Sequence, residues 1–301
     1  MDKVLVTGGS GFLGKRLQRV KPNWIYISSN DYDLRNPDAC AAMYKEISPD
    51  SVVHLAARVG GIKYNVENPA TMYYENVAMN TNVIHQAFEA GIPRVLASLS
   101  TCSFPNKTKK YPFSEKDFFD GPPAEDNLSY GFSKRMLHVQ CLSYRKQHGL
   151  DYSTFCPSNL YGPEDSFDPN NSHFISAMIK KMHEAEKDST VEFWGSGNPL
   201  RQQLFVDDLA EIIPDLLDKH HTGKPLIVAP EQHLSIRSMI LTFKGILNKN
   251  VKIEFNNELD GQFRKDGSNR EFRALFPYYK FTPLKNGLEK TYNWYLNHGN
   301  V

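Results

Sequence analysis

The stretch "KVLVTGGSGFLGKRLQRV" (residues 3–20) decides how the rest of the chain is read. Within it, "KVLVT" (residues 3–7) is a short β-rich run of the kind buried on both faces. "FLGKRLQRV" (residues 12–20) has helical spacing. Between them stand Gly8, Gly11 and Gly14, directly after the strand and at the start of the helix. The turn needs a residue without a Cβ, and the exposed N–H groups of a helix N-terminus favour an anion. Strand, glycine loop and helix in this order point to the pyrophosphate of a dinucleotide rather than to a plain tight turn.

Alternation continues outward from that loop. "WIYIS" (residues 24–28), "SVVHLAA" (51–57), "RVLAS" (94–98) and "YSTFCP" (152–157) read as further strands. "PDACAAMYKEI" (37–47) opens with proline, as a helix can, and long helical patterns at 70–91 and 129–149 each close on glycine. Such alternation implies right-handed crossovers and a parallel sheet covered by helices on both faces. The predicted class is α/β, a Rossmann-type doubly wound parallel sheet with a smaller C-terminal α/β substrate domain. From about Asn159 the pattern loosens, and glycine, proline and asparagine crowd "YGPEDSFDPNNSH" (161–173). A strand–helix unit returns at 202–220, with Asp207 or Asp208 as its helix cap, followed by "PLIVA" (225–229). Residues 1–160 and 201–230 are therefore assigned to a dinucleotide-binding domain, and 161–200 and 231–301 to a substrate-binding domain.

Composition narrows the function. The 301 residues suffice for a large core. With 35 Lys plus Arg against 34 Asp plus Glu, nothing suggests capture of nucleic acid or of a membrane surface. The four cysteines, Cys40, Cys102, Cys141 and Cys156, show no CxxC spacing and read as reduced thiols of a cytoplasmic protein. No metal-ligand spacing stands out, and no signal core or membrane-span-length apolar run is seen.

The chemistry-bearing residues follow the fourth predicted strand, in "SLSTCSFP" (98–105) and "SYGFSK" (129–134). Tyr130 and Lys134 are one helical turn apart on one face. An ammonium beside a phenol favours phenolate and lowers its pKa toward working pH. A hydroxyl at the end of the strand, from Ser100 or Thr101, then binds a carbonyl oxygen beside the tyrosine. This set handles a hydride and a proton at one carbon. Cys102 lies at the same strand end, which in such sheets faces the ligand crevice. A free cysteine there is commonly a small buried hydrophobe. With a ketone held nearby, its thiol, of pKa about 8.5 unperturbed, suits proton transfer at the adjacent carbon, which is epimerisation chemistry. His173, in "NNSHF", is the candidate second acid, or else a helix-capping or surface histidine.

Cofactor type is read at the end of the second strand. "SSNDYDL" (28–34) offers serines and an asparagine that can donate to a phosphate, and lacks lysine or arginine. Asp31 and Asp33 are the opposing carboxylates, and Asp33 with Leu34 is expected against the adenine. The stretch points to NADPH.

The spacing of "GGSGFLG" resembles the extended branch of the short-chain dehydrogenase/reductase superfamily. Together, "VTGGSGFLG", "HLAARVGGI", "STCSFP", "YGFSKRM", "PSNLYGPEDSF", "NSHFI", "WGSGNPLRQ" and "DGQFRK" resemble the GDP-L-fucose synthase family, the GDP-4-keto-6-deoxymannose 3,5-epimerase/4-reductases, over nearly the whole chain. The resemblance implies that Cys102 and His173 move protons at C3 and C5 of a keto sugar. It implies that Ser100, Tyr130 and Lys134 serve reduction at C4 by NADPH. Gly8, Gly9, Ser10, Gly11, Phe12, Leu13, Gly14, Ser29, Ser98, Leu99, Thr101, Pro157, Asn159 and Leu160 would line NADP(H). Lys181, Trp194, Arg201 and Asp260 would contact the GDP-sugar. Family members pair through two long helices, here 70–91 and 129–149, giving a homodimer. Two departures stand out: "SSN" replaces a basic residue after the second strand, and Gly131 and Phe132 follow the tyrosine where small residues are common.

Two other functions fit parts of this pattern. An NAD-dependent sugar-nucleotide 4-epimerase would retain NAD, but has no use for Cys102 and His173. A non-catalytic NADP-binding regulator would have no use for the Tyr130–Lys134 pair.

Overall fold

A computed structural model describes residues 2–168, 172–258, 260 and 262–298. The elements run, in chain order, β1 (Val4–Thr7), α1 (Phe12–Val20), β2 (Ile25–Ile27), α2 (Pro37–Ile47), β3 (Ser51–His54), α3 (Ile62–Glu67), α4 (Pro69–Glu89), β4 (Arg94–Ser98), α5 (Leu128–His148), β5 (Asp151–Pro157) and β6 (Asn159–Tyr161). The second half adds α6 (Phe174–Glu184), β7 (Thr190–Phe193), β8 (Leu200–Arg201), β9 (Gln203–Phe205), α7 (Val206–Lys219) and β10 (Leu226–Val228). It ends with β11 (Leu234–Ser235), α8 (Ile236–Ile246), β12 (Lys252–Phe255), β13 (Arg264–Lys265), α9 (Arg270–Leu275) and α10 (Leu284–His298).

Among the described residues, six strands form the main sheet in the order β10-β5-β4-β3-β1-β2. All of its pairings are parallel. Strand order reverses direction between β1 and β3, which opens a crevice beyond their carboxyl ends. One face of the sheet packs on α2, α4 and α5 through Tyr44, Val83, Ile84 and Leu137. The other packs on α1, α7 and α9 through Leu17, Leu209, Ile213 and Phe272. Each such side chain removed from water contributes roughly 1.5–3 kcal/mol of burial free energy. A third core, with Tyr161, Ile179, Phe193, Phe243 and Leu288, joins α6, α8 and α10 to the small strand pairs.

Among the described residues, three small sheets accompany the main one. β8 pairs antiparallel with β11 and parallel with β13. β7 pairs with β12, and β6 with β9.

Local expectations hold with two adjustments. β2 and β3 are shorter than their apolar runs, ending at Ile27 and His54. α5 stops at a left-handed Gly149 (φ 70°), as its sequence predicts. Neither Asp207 nor Asp208 caps α7, whose N-cap is Phe205. Both carboxylates are instead drawn into tertiary contacts. Arg16 on α1 donates to Asp207 at 2.5 and 2.8 Å, and Asp208 accepts from Thr282 N and Oγ1 at 2.7 and 2.6 Å.

Candidate active site

The glycine loop is shaped by close approach of its own backbone. A Cβ on Gly14 would lie 2.2 Å from the Gly8 carbonyl oxygen and 2.7 Å from that of Gly9. Gly8 has φ 75°, the left-handed region. α1 starts after its N-cap Gly11, with no side-chain cap and no acidic residue in its first turn, which leaves a helix N-terminus that favours an anion. Gly9 N donates to Ile27 O at 2.7 Å, tying the loop to the end of β2.

Beyond β2, the two opposing carboxylates are already engaged. Asp31 accepts from Ser28 N and Oγ, both at 2.7 Å, and these bonds hold its pKa below the usual range. Asp33 forms a two-pronged pair with Arg35 at 2.9 Å on each side. Ser29 is exposed next to them, and Leu34 turns its side chain into the core.

β4 ends in the turn that gathers the reactive groups. Ser98 and Leu99 are buried, and a 3-10 turn covers Thr101–Ser103. Ser100 Oγ accepts from Cys102 N at 3.2 Å and lies close enough to the Tyr130 phenol to favour its ionised form. Thr101 is buried, so of the two hydroxyls left open by sequence it is Ser100 that meets the tyrosine. Lys134 is also buried, and its Nζ donates to Ser98 O at 2.9 Å. Burial lowers the Lys134 pKa to about 8. Burial raises the Tyr130 phenol, with Cys102 adding to the rise and Ser100 partly offsetting it. That corrects the expectation of a phenol pulled down by its lysine: here desolvation wins.

α5 approaches this turn through Gly131. A Cβ there would lie 2.5 Å from the Cys102 carbonyl oxygen. The glycine that looked inconsequential in sequence is what lets the helix meet the turn. Arg135, one residue past Lys134, donates from Nε and Nη2 to Ser103 O at 3.0 and 2.5 Å and locks the turn in place. Pro157 is buried at the end of β5, and Asn159 and Leu160 are half-buried just beyond it.

His173 is the N-cap residue of α6, but its side chain makes no cap bond. It turns to Asp165, with Nδ1 3.4 Å from Oδ1, and its side chain is 48% exposed. Asp165 is fixed by Ser176 Oγ, which donates at 2.6 Å. The Asp165 hydrogen bond raises the imidazole pKa, against burial and against the nearby Lys265. Sequence reading passed over Asp165, although it lies in the quoted "YGPEDSF".

The opposite wall carries the remaining candidates. Trp194 is 80% exposed, which excludes a role as core filler. Asp260 accepts from Ser196 N and Oγ at 2.8 and 2.6 Å and so shapes the loop after Trp194. Lys181 is exposed, donates to Glu192 O and lies 5.4 Å from the Phe193 ring centroid. Burial lowers the Arg201 pKa, while Asp126, Asp260 and Cys102 act in the other direction. Lys265, to which sequence gave no role, donates from Nζ to Cys102 Sγ at 3.0 Å. A groove lined by Asn65, Met72, Asn106, Ser129, Tyr130 and Gln262 opens beside this centre. Among the described residues, no His, Cys, Asp and Glu cluster could hold a metal ion, and no helix is long and apolar enough to cross a membrane.

Residues 4–229 match the NAD dependent epimerase/dehydratase family. The probable GDP-L-fucose synthase of Drosophila melanogaster is 35% identical, over 98% of each chain. The chain belongs to the GDP-L-fucose synthase family. The Escherichia coli K12 member is 30% identical over 98% of this chain and 97% of its own. Among solved structures, a GDP-L-fucose synthetase from Naegleria fowleri bound to NADP superposes with a TM-score of 0.91. It is 30% identical and covers 100% of this chain and 94% of that one.

Proposed function

We propose that the chain converts GDP-4-keto-6-deoxy-D-mannose to GDP-L-fucose, by epimerisation at C3 and C5 followed by NADPH-dependent reduction at C4. The observation that carries this reading is the Ser100 hydroxyl, which accepts from Cys102 N at 3.2 Å and lies close enough to the Tyr130 phenol to favour its ionised form. A ketone oxygen seated there has a proton donor and a sulfur base beside it. The GDP-L-fucose synthases among its relatives support the same reaction.

The residues present fit a dinucleotide. The loop Gly8, Gly9, Ser10, Gly11, Phe12, Leu13 and Gly14 is drawn so tight by its own backbone that a Cβ at Gly14 would break it, and the uncapped start of α1 suits the pyrophosphate. Ser29, Asp33 and Leu34 border the adenosine half. With Asp31 folded onto Ser28 and Asp33 neutralised by Arg35, the stretch after β2 opposes a 2′-phosphate less than its sequence suggests. Ser98, Leu99, Thr101, Lys134, Pro157, Asn159 and Leu160 border the nicotinamide half. When bound, NADPH supplies the hydride for C4.

The chain's own groups handle the protons. Cys102 Sγ takes the proton from C3 or C5; the C–H bond breaks, an S–H bond forms, and the electron pair moves onto the ketone oxygen as an enolate. Ser100 and Tyr130 donate to that oxygen. His173, held by Asp165, returns a proton to carbon on the other face. In the reduction, Tyr130 gives its proton to the C4 oxygen. A phenol raised by burial is protonated at neutral pH, as this direction requires. Lys181 and Arg201 suit the GDP pyrophosphate, and Trp194 and Asp260 the rest of the nucleotide sugar.

In this reading, residues 1–160 and 201–230 bind the dinucleotide, and 161–200 and 231–301 the sugar nucleotide. Two copies pair through helices 70–91 and 129–149, which is supported by the exposed Tyr73, Tyr74, Met136, Val139 and Leu142 on α4 and α5. The four free thiols suit the cytoplasm.

The test is to supply GDP-4-keto-6-deoxymannose with NADPH or NADH, follow nicotinamide absorbance and identify the sugar product. GDP-L-fucose is expected. In Cys102→Ser, exchange of the C3 and C5 hydrogens for solvent deuterium should fall by at least about 1,000-fold, within the range of general base catalysis. Persistent exchange in that variant removes Cys102 as the base.

A further inference from the structure

Proton abstraction at neutral pH needs the sulfur as thiolate, and burial works against that state. The same chain shows the opposing force: burial pushes Cys40 and Cys141 up to about 12, and Cys156 well above its ordinary value. Cys102 differs in what faces it. Lys265 Nζ lies 3.0 Å from its Sγ, a charge-assisted hydrogen-bond distance for sulfur. Arg201 lies within electrostatic range of the same thiol, and the parallel register of β13 and β8 places Lys265 directly beside Arg201. Tyr130 from α5 and Cys156 from β5 complete the groups around Cys102. Lys265 also lies within electrostatic range of His173 and lowers its pKa.

Lysine is ordinarily a flexible surface side chain. The strand under this one is fixed at several points. Gln202, buried, exchanges two hydrogen bonds with the Gly267 backbone at 2.8 and 3.0 Å. Phe113 N donates to Asp266 O at 3.0 Å, and Ser268 N to Phe113 O at 2.6 Å. The fully buried Asp266 takes a two-pronged bond from Arg264 at 2.5 and 2.9 Å.

We infer that Lys265 is a positioning residue that holds Cys102 as a thiolate and aims its sulfur into the crevice; the role rests on Cys102 being the epimerising base. The thiol proton leaves to solvent before the sugar binds, and the ammonium keeps its own three protons. After abstraction the new S–H and the spent imidazole both re-equilibrate with water. The neighbouring Arg201 adds to the same positive field, which disposes the thiolate toward the sugar rather than toward the protein.

The test uses the full chain and needs no sugar nucleotide at first. The rate of Cys102 alkylation by iodoacetamide is followed against pH, with Cys102→Ser as the blank for the buried thiols. The midpoint for the unaltered chain should fall below the ordinary thiol value of about 8.5. Lys265→Met should raise that midpoint by one unit or more, slowing alkylation about tenfold at neutral pH. Lys265→Arg should restore most of it. The alkaline shift should recur in the pH profile of C3/C5 deuterium exchange. A midpoint of 8.5 or higher in the unaltered chain, or no shift in a folded Lys265→Met, overturns the role of Lys265, and the first needs no variant at all. A low midpoint without any sugar exchange instead overturns Cys102 as the epimerising base, and the purpose of Lys265 with it.

Discussion

The near wall of the crevice and the far wall reach the same reacting atoms by different routes. On the near wall, the glycine loop follows β1, the Ser100–Cys102 turn follows β4 and Pro157 ends β5, with Tyr130 and Lys134 brought alongside by α5. On the far wall, Arg201 and Lys265 sit on two-residue strands whose pairing joins segments far apart in sequence. The first wall is a consequence of local order, strand then turn then helix. The second exists only once distant segments have found each other.

Perturbing the near wall should therefore do the most. In Gly14→Ala the new Cβ meets the Gly8 carbonyl at 2.2 Å, inside the loop itself. We expect a loss of about 1–3 kcal/mol in stability from overpacking. The apparent KM for NADPH should rise more than tenfold, read by thermal melting and steady-state kinetics. A variant with unchanged NADPH kinetics would show that the loop does not cradle the dinucleotide.

The link between the walls gives an intermediate effect. Asp165 raises the His173 pKa, so the pair stabilises the fold below the imidazole's unfolded pKa and the contribution is lost as pH rises through the raised value. Asp165→Asn should move the alkaline limb of C3/C5 exchange to lower pH, since the imidazole loses its proton earlier. A displacement of one unit is a tenfold loss on that limb. NMR titration of His173 in both forms checks the direction, and an unchanged imidazole pKa would dismiss Asp165 as its partner.

The smallest effect belongs to the far rim. Trp194 is 80% exposed, so Trp194→Ala should leave stability within about 0.5 kcal/mol. KM for the GDP-sugar should rise a few-fold with NADPH kinetics unaltered. Equal damage to both substrates would erase the distinction between the walls.

The same contrast explains what could be read in advance. Alternating strands and helices, the glycine loop and the Tyr130–Lys134 spacing are encoded within a few residues of each other, and they were legible. Lys265 was not, because nothing near "DGQFRK" says which cysteine a strand of that size will meet. Asp207 and Asp208 looked like helix caps by local preference, yet Arg16 and Thr282 outbid the helix end for them. Gly131 was visible as a residue but not as a contact, since its reason is a carbonyl on another turn. The direction of the Tyr130 shift failed for a related cause: a helical spacing reports the neighbour and not the depth of the pocket.

Gln202 follows Arg201 in the chain, and its amide grips the backbone two positions beyond Lys265 while also reaching Pro230. A single neutral side chain thus gauges the gap between both cations and the sulfur. An exposed residue such as Trp194 can change without disturbing that gauge, whereas a change at this inconspicuous glutamine would alter the spacing while leaving both cations and the sulfur in the chain.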